Sequence, residues 1–431
     1  MDHIIVIPIA ICLFSFLAYR KWSPILLGPF MSILLAAVCR LPVLQTMLGP
    51  YLAASTNFVK ANFFVFFLGA IFGGVMELTH GAKAIAMWMG GFTKGKFVLP
   101  LIMTITGILA FGGVSGFVVY FAMYPIALHL CKGANISRAL IPGAIASGCW
   151  TWAMTAPGSP AIPNIIAMKY LGTTSTADFL AGFLFAGVVQ YILVFVYLEW
   201  QKARYEKNGQ GFIADEVTEK EMEQDPDEKI PSALMALLPL LVIVVLFNVI
   251  RLPIEVSLLS GILVAMVTMW KYGKSPAKWL EVCNKGANNS AIVILNTAMV
   301  VGFAGVIKDT AAFKELVQSL GSLHMNPLVY VAVTSGLCAA AAASASGGMG
   351  VALEAFKDSY LALGVSPEVI HRIACIASGT FDSLPHTGGQ VTLLNICHQT
   401  HKEAYIHMFV TECIIPSIVV AMLIVWHSLG L

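Results

Sequence analysis

Asp382 and His386 are the two residues of this 431-residue sequence best suited to bind a proton or an ion in an apolar environment. They lie four positions apart in a segment that interrupts long apolar stretches. An ionised carboxylate at the centre of a membrane helix costs about 2.5–3.5 kcal/mol, and histidine changes its charge close to neutral pH. The pair is therefore predicted to bind a proton or another coupling ion. The alternative is a structural pair that caps a broken helix.

Two segments that contain proline and glycine also interrupt the apolar pattern. The first is Ala156–Pro160, followed by Pro163, and the second is Leu384–Gly389. Because proline lacks a backbone N–H and blocks helix continuation, each segment predicts a broken helix. The exposed N–H groups of a half-helix attract anions, and neither segment contains Lys or Arg, so an anion site without a buried cation is expected. Its predicted residues are Thr155, Gly158, Ser159 and Asn164 in the first break and His386, Thr387, Gly388 and Asn395 in the second.

Two glycine-rich segments are predicted to be the tips of re-entrant hairpins. The first tip is Gly112–Gly116 and the second is Ser344–Gly350. Small residues allow the backbone to approach a ligand closely, although they also serve simply to pack helices together. Four tip residues join the predicted binding site: Ser115, Gly116, Ser346 and Gly347.

The composition indicates that these elements lie in a membrane. Hydrophobic residues make up 58% and charged residues 11% of the chain, with a mean hydropathy of +0.82, whereas about a quarter of a soluble domain is charged. The few basic residues form no stripe that would bind nucleic acid. The nine cysteines show no CxxC spacing and the histidines no HExxH motif, so neither a metal nor a cofactor is expected. The first apolar stretch lacks the features of a signal peptide and is predicted to be a retained helix.

The chain is predicted to contain two copies of one unit. The first repeat is 1–200 and the second is 232–431, and a polar, acidic segment, 201–231, joins them as a cytoplasmic linker. Ile145–Gly148 aligns with Ile376–Gly379 at a shift of 231 residues (376 − 145 = 231). The same shift aligns prolines, glycines and asparagines elsewhere without a gap, which predicts an internal duplication.

The duplication is unequal at the second break. Asp382 aligns with Thr151 and His386 aligns with Thr155. Because the ionisable side chains occur in only one of the two breaks, this break is the predicted place for the coupling ion.

Each repeat is predicted to hold five transmembrane helices and one re-entrant hairpin, which gives an all-α polytopic fold with ten spans. The hairpins are 97–131 and 328–363, and the broken helices are 138–170 and 367–397. Because five is odd, the second repeat would be inverted relative to the first, as in many secondary transporters. The positive-inside rule places the linker in the cytoplasm and both termini outside it. The remaining predicted spans are Ile4–Tyr19, Pro24–Arg40, Phe63–Leu78, Asp178–Trp200, Ser232–Ile250, Glu255–Trp270, Ser290–Ile307 and Ala404–Leu429.

Several motifs resemble those of the gluconate permease family, which belongs to the wider ion-transporter superfamily of carboxylate carriers. They are Thr155–Asn164, Ser366–Glu368, Ala377–His386 and Gly81–Ile85, and the resemblance covers essentially the whole chain. It implies symport of an organic anion, usually with protons, across a bacterial inner membrane by a homodimer whose transport domain moves against a scaffold. The first break is more similar to the hydroxybutyrate-type and other short-carboxylate branches than to the gluconate carriers.

The predicted function is secondary active transport by alternating access, with a short hydroxy- or monocarboxylate and a proton moving together. No Ser-Asn-Thr motif of the sodium-coupled dicarboxylate carriers occurs at either break, which favours protons, and sodium coupling is the alternative. An intramembrane enzyme that uses Asp382 and His386 as an acid and base and a passive channel are the competing functions from other classes.

Overall fold

The structure is a computed structural model, and it describes residues 4–20, 22–93, 95–111, 116–215, 218–219, 229–250, 252–273, 275–322 and 325–430. Within these ranges the regular secondary structure is helical, without a strand. The predicted all-α polytopic fold is confirmed, whereas the count of ten spans and the inversion of the repeats stay predictions.

The described residues of the first half of the chain form nine principal helices. They are α1 Val6–Tyr19, α2 Pro24–Val38, α3 Val43–Leu78, α4 Gly81–Thr93, α5 Val98–Phe111, α6 Gly116–Gly133, α7 Ile141–Trp150, α8 Ile162–Leu171 and α9 Phe179–Lys207.

The described residues of the second half form principal helices in the same order. They are α10 Ala233–Val244, α11 Ile254–Thr268, α12 Pro276–Asp309, α13 Ala311–Gly321, α14 Pro327–Ala342, α15 Ala345–Leu361, α16 Pro367–Phe381, α17 Gly388–Ile396 and α18 His401–Ser428.

Five helices of the described chain are long and apolar enough to cross a bilayer, judged by length and composition: α3, α6, α9, α12 and α18. Shorter apolar helices accompany them, including α5 and α14. Helix α6, which the sequence predicts to be a hairpin arm, is therefore long enough to span a membrane by itself.

The second hairpin has a shorter tip than the sequence predicts. Helix α14 ends at Ala342, Ala343 has a left-handed backbone (φ +51°), and α15 already begins at Ala345. The Ser344 hydroxyl accepts a hydrogen bond from Gly347 N–H at 3.1 Å. Because this serine caps the helix, the glycines after it continue as helix instead of forming a loop. The first tip, residues 112–115, lies outside the described residues.

Two helices and two helix extensions were missed in the sequence. Helices α4 and α13 lie between predicted spans, and α3 and α12 begin well before the predicted starts at Phe63 and Ser290. The start of α12 has a readable signal, because the Ser275 hydroxyl caps Lys278 N–H and Pro276 occupies the first turn. Polar residues in these extensions hid the helical pattern.

The described residues of the predicted linker are held against the helices. Helix α9 continues to Lys207, so the first residues of the linker are helical. Beyond it, Asp215 Oδ2 lies 3.0 Å from a guanidinium nitrogen of the buried Arg138. Burial opposes ionisation of Asp215, but hydrogen bonds from Thr218 and from Arg138 outweigh it and lower the pKa of this carboxyl to about 2. The contact with Arg138 therefore persists at ordinary pH.

Helix α12 runs along α3 and α2 through the centre of the molecule, and a glycine permits its closest approach. A Cβ atom placed on Gly28 of α2 would lie 2.2 Å from the Met299 carbonyl oxygen and 2.5 Å from its carbon. The backbones of α2 and α12 are therefore in direct contact, which is the packing that small residues allow between membrane helices.

Replacing Gly28→Ala should destabilise the protein by about 1–3 kcal/mol, because the added methyl forces two backbones apart. Gly90→Ala on α4 is the matched control, since a Cβ there meets nothing within 4 Å. Thermal unfolding in detergent, followed by light scattering and tryptophan fluorescence, measures both variants. Equal midpoints for the two alanine variants would contradict the close approach.

Candidate functional site

A single cavity touches both helix breaks and both hairpins. Its volume is about 770 Å³, within the range typical of small-molecule sites. The first break contributes Ala153–Met154 and Pro160–Pro163, and the second contributes Asp382–Ser383 and His386–Gln390. Hairpin residues in the wall are Ala110, Gly116, Phe117 and 342–346, and α3 and α12 add Ala54, Phe58, Asn62, Val301, Ala304, Gly305 and Lys308.

The first break is an extended segment between α7 and α8. Helix α7 ends at Trp150, one short turn follows, and α8 begins at Ile162. Gly158 supplies a positive φ (+86°) that other residues rarely adopt, and its N–H donates to the Ser175 carbonyl at 2.9 Å. The Ser159 hydroxyl donates to the Ala153 carbonyl at 2.7 Å. These polar groups hold the shape of the break.

Hydrogen bonds between Asn164 of the first break and Arg372 of α16 link these two elements. Asn164 Nδ2 donates to the Met154 carbonyl at 2.8 Å, and Asn164 Oδ1 accepts from Arg372 at 3.2 Å and from His371 Nε2 at 3.1 Å. The fully buried Arg372 guanidinium also donates to the carbonyls of Thr155 and Ala177. An arginine therefore satisfies the peptide groups that the break leaves unpaired.

The sequence analysis did not assign Arg372 to the first break. Arg372 precedes the second break by ten residues in sequence, but it binds the first break across the fold. The residues of the first break do not themselves indicate this contact. The sequence signal for it was an arginine inside the otherwise uncharged stretch Ile370–Gly379.

In the second break, Asp382 and His386 bind the second hairpin. Asp382 Oδ2 accepts the N–H of Ala345, the first residue of α15, at 3.2 Å. His386 Nε2 lies 3.0 Å from the Ala340 carbonyl of α14, to which it donates. The two side chains thus reach the two arms of the hairpin and make no hydrogen bond to each other.

Helix α18 holds the second break from the other side. The Tyr405 hydroxyl donates to the Ser383 carbonyl at 2.8 Å, and His401 Nε2 donates to the Pro385 carbonyl at 3.0 Å. All of these side chains are buried. The break is consequently a defined structure with partners for its peptide groups.

The predicted site residues divide into two groups. Those that line the cavity are Gly116, Ser346, Asp382, His386, Thr387 and Gly388. Those that do not line it are Thr155, Gly158, Ser159, Asn164, Gly347 and Asn395, while Ser115 lies outside the described residues. Thr155 donates to Gln190 Oε1 at 3.2 Å, and Asn395 accepts from Asn296 at 3.3 Å. Their contacts are within the protein, and binding roles for all these residues stay predictions.

Lys308 is a cavity residue that the sequence analysis missed. It lies on α12, one position beyond the predicted end of a span at Ile307, where a lysine is normally a flanking residue. A Cβ atom on Gly347 would lie 3.4 Å from Lys308 Nζ, so the ammonium group lies against the first turn of α15. No ion pair of Lys308 occurs within the described part of the chain.

Comparison with known proteins identifies the class. No protein-family model matches the chain. The uncharacterized transporter YxjC of Bacillus subtilis (strain 168) is 32% identical over 474 residues, and the alignment covers 100% of both chains. An uncharacterized transporter of Haemophilus influenzae is 26% identical over 317 residues, 70% of each chain. An uncharacterized permease of the same organism is 24% identical over 303 residues, 63% of this chain and 60% of the relative.

Among solved structures, the crystal structure of the Alcanivorax borkumensis YdaH transporter matches 95% of this chain and 99% of its own at 13% identity. The TM-score of 0.37 is too low to establish a shared fold.

The apolar helices and the transporter relatives define the protein as a multi-pass membrane transporter. More narrowly, the chain belongs to the transporter family that includes YxjC of Bacillus subtilis. These three relatives are not named as gluconate permeases, so the resemblance to that family stays a prediction.

Replacing Arg372→Met should lower stability by about 2–4 kcal/mol, because buried carbonyls at the first break lose their donor. Arg372→Lys should recover only part of this loss, since an ammonium lacks the planar fork that reaches several acceptors. Thermal unfolding in detergent provides the measurement. Arg204→Met, at an exposed arginine, is the control; if both methionine variants unfold together, Arg372 does not hold the break.

Proposed function

We propose that this protein is a secondary active transporter that carries a small organic anion, a short hydroxy- or monocarboxylate, together with a proton. It works by alternating access in a bacterial inner membrane, as a homodimer. The observation that carries the proposal is the shared cavity, which is lined by a lysine, by the starts of α15 and α17, and by the Asp382 carboxyl group.

The anion is bound by Lys308 and by the first turn of α17, next to the start of α15. Helix α17 begins without a side-chain cap, and its first residues, Gly388 and Gly389, line the cavity. The buried Thr387 hydroxyl beside them has no hydrogen-bond partner among the described residues. Exposed N–H groups, a free hydroxyl and an ammonium group are the donors that a carboxylate needs.

Coupling to a proton follows from the position of Asp382. Its carboxylate already accepts a backbone N–H at the start of α15, and the substrate carboxylate would bind beside that helix end. The carboxylates of Asp382 and of the substrate would repel each other there, so protonation of Asp382 favours binding of the anion. Linkage makes the effect reciprocal, because the bound anion favours the proton equally. Sodium bound at Asp382 would neutralise the same charge and is the alternative.

Alternating access requires that ion occupancy changes a structural contact. The hydrogen bonds of Asp382 and His386 tie the second break to the second hairpin. A proton on Asp382 weakens the tie to Ala345, because the charge-assisted hydrogen bond is lost. The hairpin is therefore the element whose position responds to the proton.

The enzyme alternative has less support. An acid–base pair acts on a shared substrate, but Asp382 and His386 point their hydrogen bonds at opposite arms of a hairpin. The relatives, moreover, are named as transporters and a permease.

Transport by the purified protein in proteoliposomes tests the proposal. Labelled lactate, 3-hydroxybutyrate and gluconate are offered under an inward proton gradient, with sodium replaced by choline in a parallel series. We expect saturable accumulation of a short hydroxy acid that needs the proton gradient and tolerates choline. Accumulation that requires sodium would select the alternative coupling, and no uptake of any of these acids under either gradient would refute the proposal.

Replacing Lys308→Gln should raise the substrate concentration for half-maximal uptake by at least about tenfold, because a charge-assisted contact of about 1.5–3 kcal/mol is removed. Lys314→Gln on α13 is the matched control, as this lysine is exposed and does not line the cavity. Initial rates over a concentration series give the result. Similar values for both variants would show that Lys308 does not bind the anion.

A further inference from the structure

Glu412 is a fully buried acidic residue that lies next to the second break but outside the cavity wall. It belongs to α18, within the wide π-helical turn Val410–Ile414. Turns of this kind recur at functional sites. At the shift of 231 residues its counterpart is Ala181 (412 − 231 = 181), so the first half of the chain has no equivalent acid.

Gln390 connects Glu412 to the cavity. This residue lines the cavity, and its Nε2 donates to Glu412 Oε2. The Oε1 atoms of both side chains are buried and have no hydrogen-bond partner in the described structure. An amide carries both donors and an acceptor. Gln390 can therefore donate to a carboxylate and, after its amide group turns over, accept from a carboxylic acid.

Ser383 lies between Glu412 and Asp382. Its hydroxyl donates to Asp382 Oδ1 at 3.1 Å, and Glu412 is the other carboxyl group within its reach. A hydroxyl has one proton, so it can donate to only one of the two acids at a time. In the conformation described here the donor serves Asp382, which also accepts Ala345 N–H. These two donors therefore stabilise the carboxylate form of Asp382.

The other groups around Glu412 do not balance a negative charge. The titratable groups that interact with it are Tyr120 on α6, Cys149 on α7, Asp382 after α16, and Tyr405 and Cys413 on α18. None of these five is a cation. A buried carboxylate without a positive partner is costly in a membrane protein unless it binds a proton or a cation.

We propose that Glu412 and Asp382 form a proton-sharing pair, in which Glu412 holds the coupling proton and Gln390 stabilises its carboxyl group in both protonation states. This inference rests on the proposed function. When the outside is acidic, a proton from water in the cavity binds Asp382, which lines the cavity. The Ser383 hydroxyl then gives its proton to Glu412 and takes the proton from Asp382, and the reverse exchange returns the proton to Asp382 and to water after the cavity opens to the cytoplasm. Only protons move in this step; no electron is transferred and no other bond forms or breaks.

The test separates exchange of substrate from its accumulation. Glu412→Gln imitates the protonated acid permanently, so it should still exchange labelled for unlabelled lactate or 3-hydroxybutyrate at about the wild-type rate. It should lose accumulation, which for one coupled proton reaches about tenfold per unit of pH gradient in the wild type. Glu206→Gln, at an exposed glutamate on α9, is the matched control and should accumulate normally.

Accumulation by Glu412→Gln equal to that of the wild type would overturn the inference while leaving the proposed function intact. If this variant does not fold, Glu412→Asp takes its place; it should accumulate substrate with a changed pH of half-maximal uptake, and an unchanged pH profile overturns the inference. If the wild type transports none of these acids, the proposed function is refuted, and the inference about Glu412 is tested by stability instead. The difference in unfolding temperature between wild type and Glu412→Gln must vary with pH if Glu412 binds and releases a proton, and a difference that is independent of pH overturns the inference.

Discussion

Peptide groups that leave a helix inside an apolar bundle must find hydrogen-bond partners, and this requirement organises the centre of the molecule. At the first break the partners are the Arg372 guanidinium, from the second half of the chain, and the Asn164 amide of the first half. At the second break they come from α18, through Tyr405 and His401. Because lipid offers no substitute for these donors and acceptors, the breaks exist only as parts of the assembled bundle.

The two breaks satisfy this requirement with different chemistry, and the difference assigns them different tasks. Arg372 and Asn164 give the first break a fixed network of hydrogen bonds within the protein. The second break contains a carboxyl group and an imidazole that reach a hairpin, together with a helix start, Thr387–Gly388, that faces the cavity uncapped. A fixed break beside an ionisable one agrees with the proposed transport mechanism, in which one side stays in place and the other responds to protons.

Local sequence signals predicted the helical fold and the positions of the helix breaks, but they did not predict contacts between residues that are distant in sequence. Proline and glycine spacing located both breaks and the second hairpin within a few residues, because these residues act on their own backbone. The sequence also pointed to Asp382 and His386, since ionisable residues are conspicuous among apolar ones. Arg372, Lys308 and Glu412 went unassigned because their importance comes from neighbours more than 20 residues away, or from a cavity that no single segment encloses. The Ser344 cap shows the limit at short range: one serine decided that a glycine-rich segment is helix.

The contact between the linker and the helices also involves the half-helix that follows the second break. Arg138 holds Asp215 of the linker with one guanidinium nitrogen and donates with another to the Cys397 carbonyl, at the end of the half-helix that follows the second break. One side chain therefore contacts both the linker and the end of α17, whose first residues line the cavity. An environment-sensitive dye attached to the linker, for example at the exposed Ile213, gives an optical reporter of rearrangements near the cavity without a label inside it.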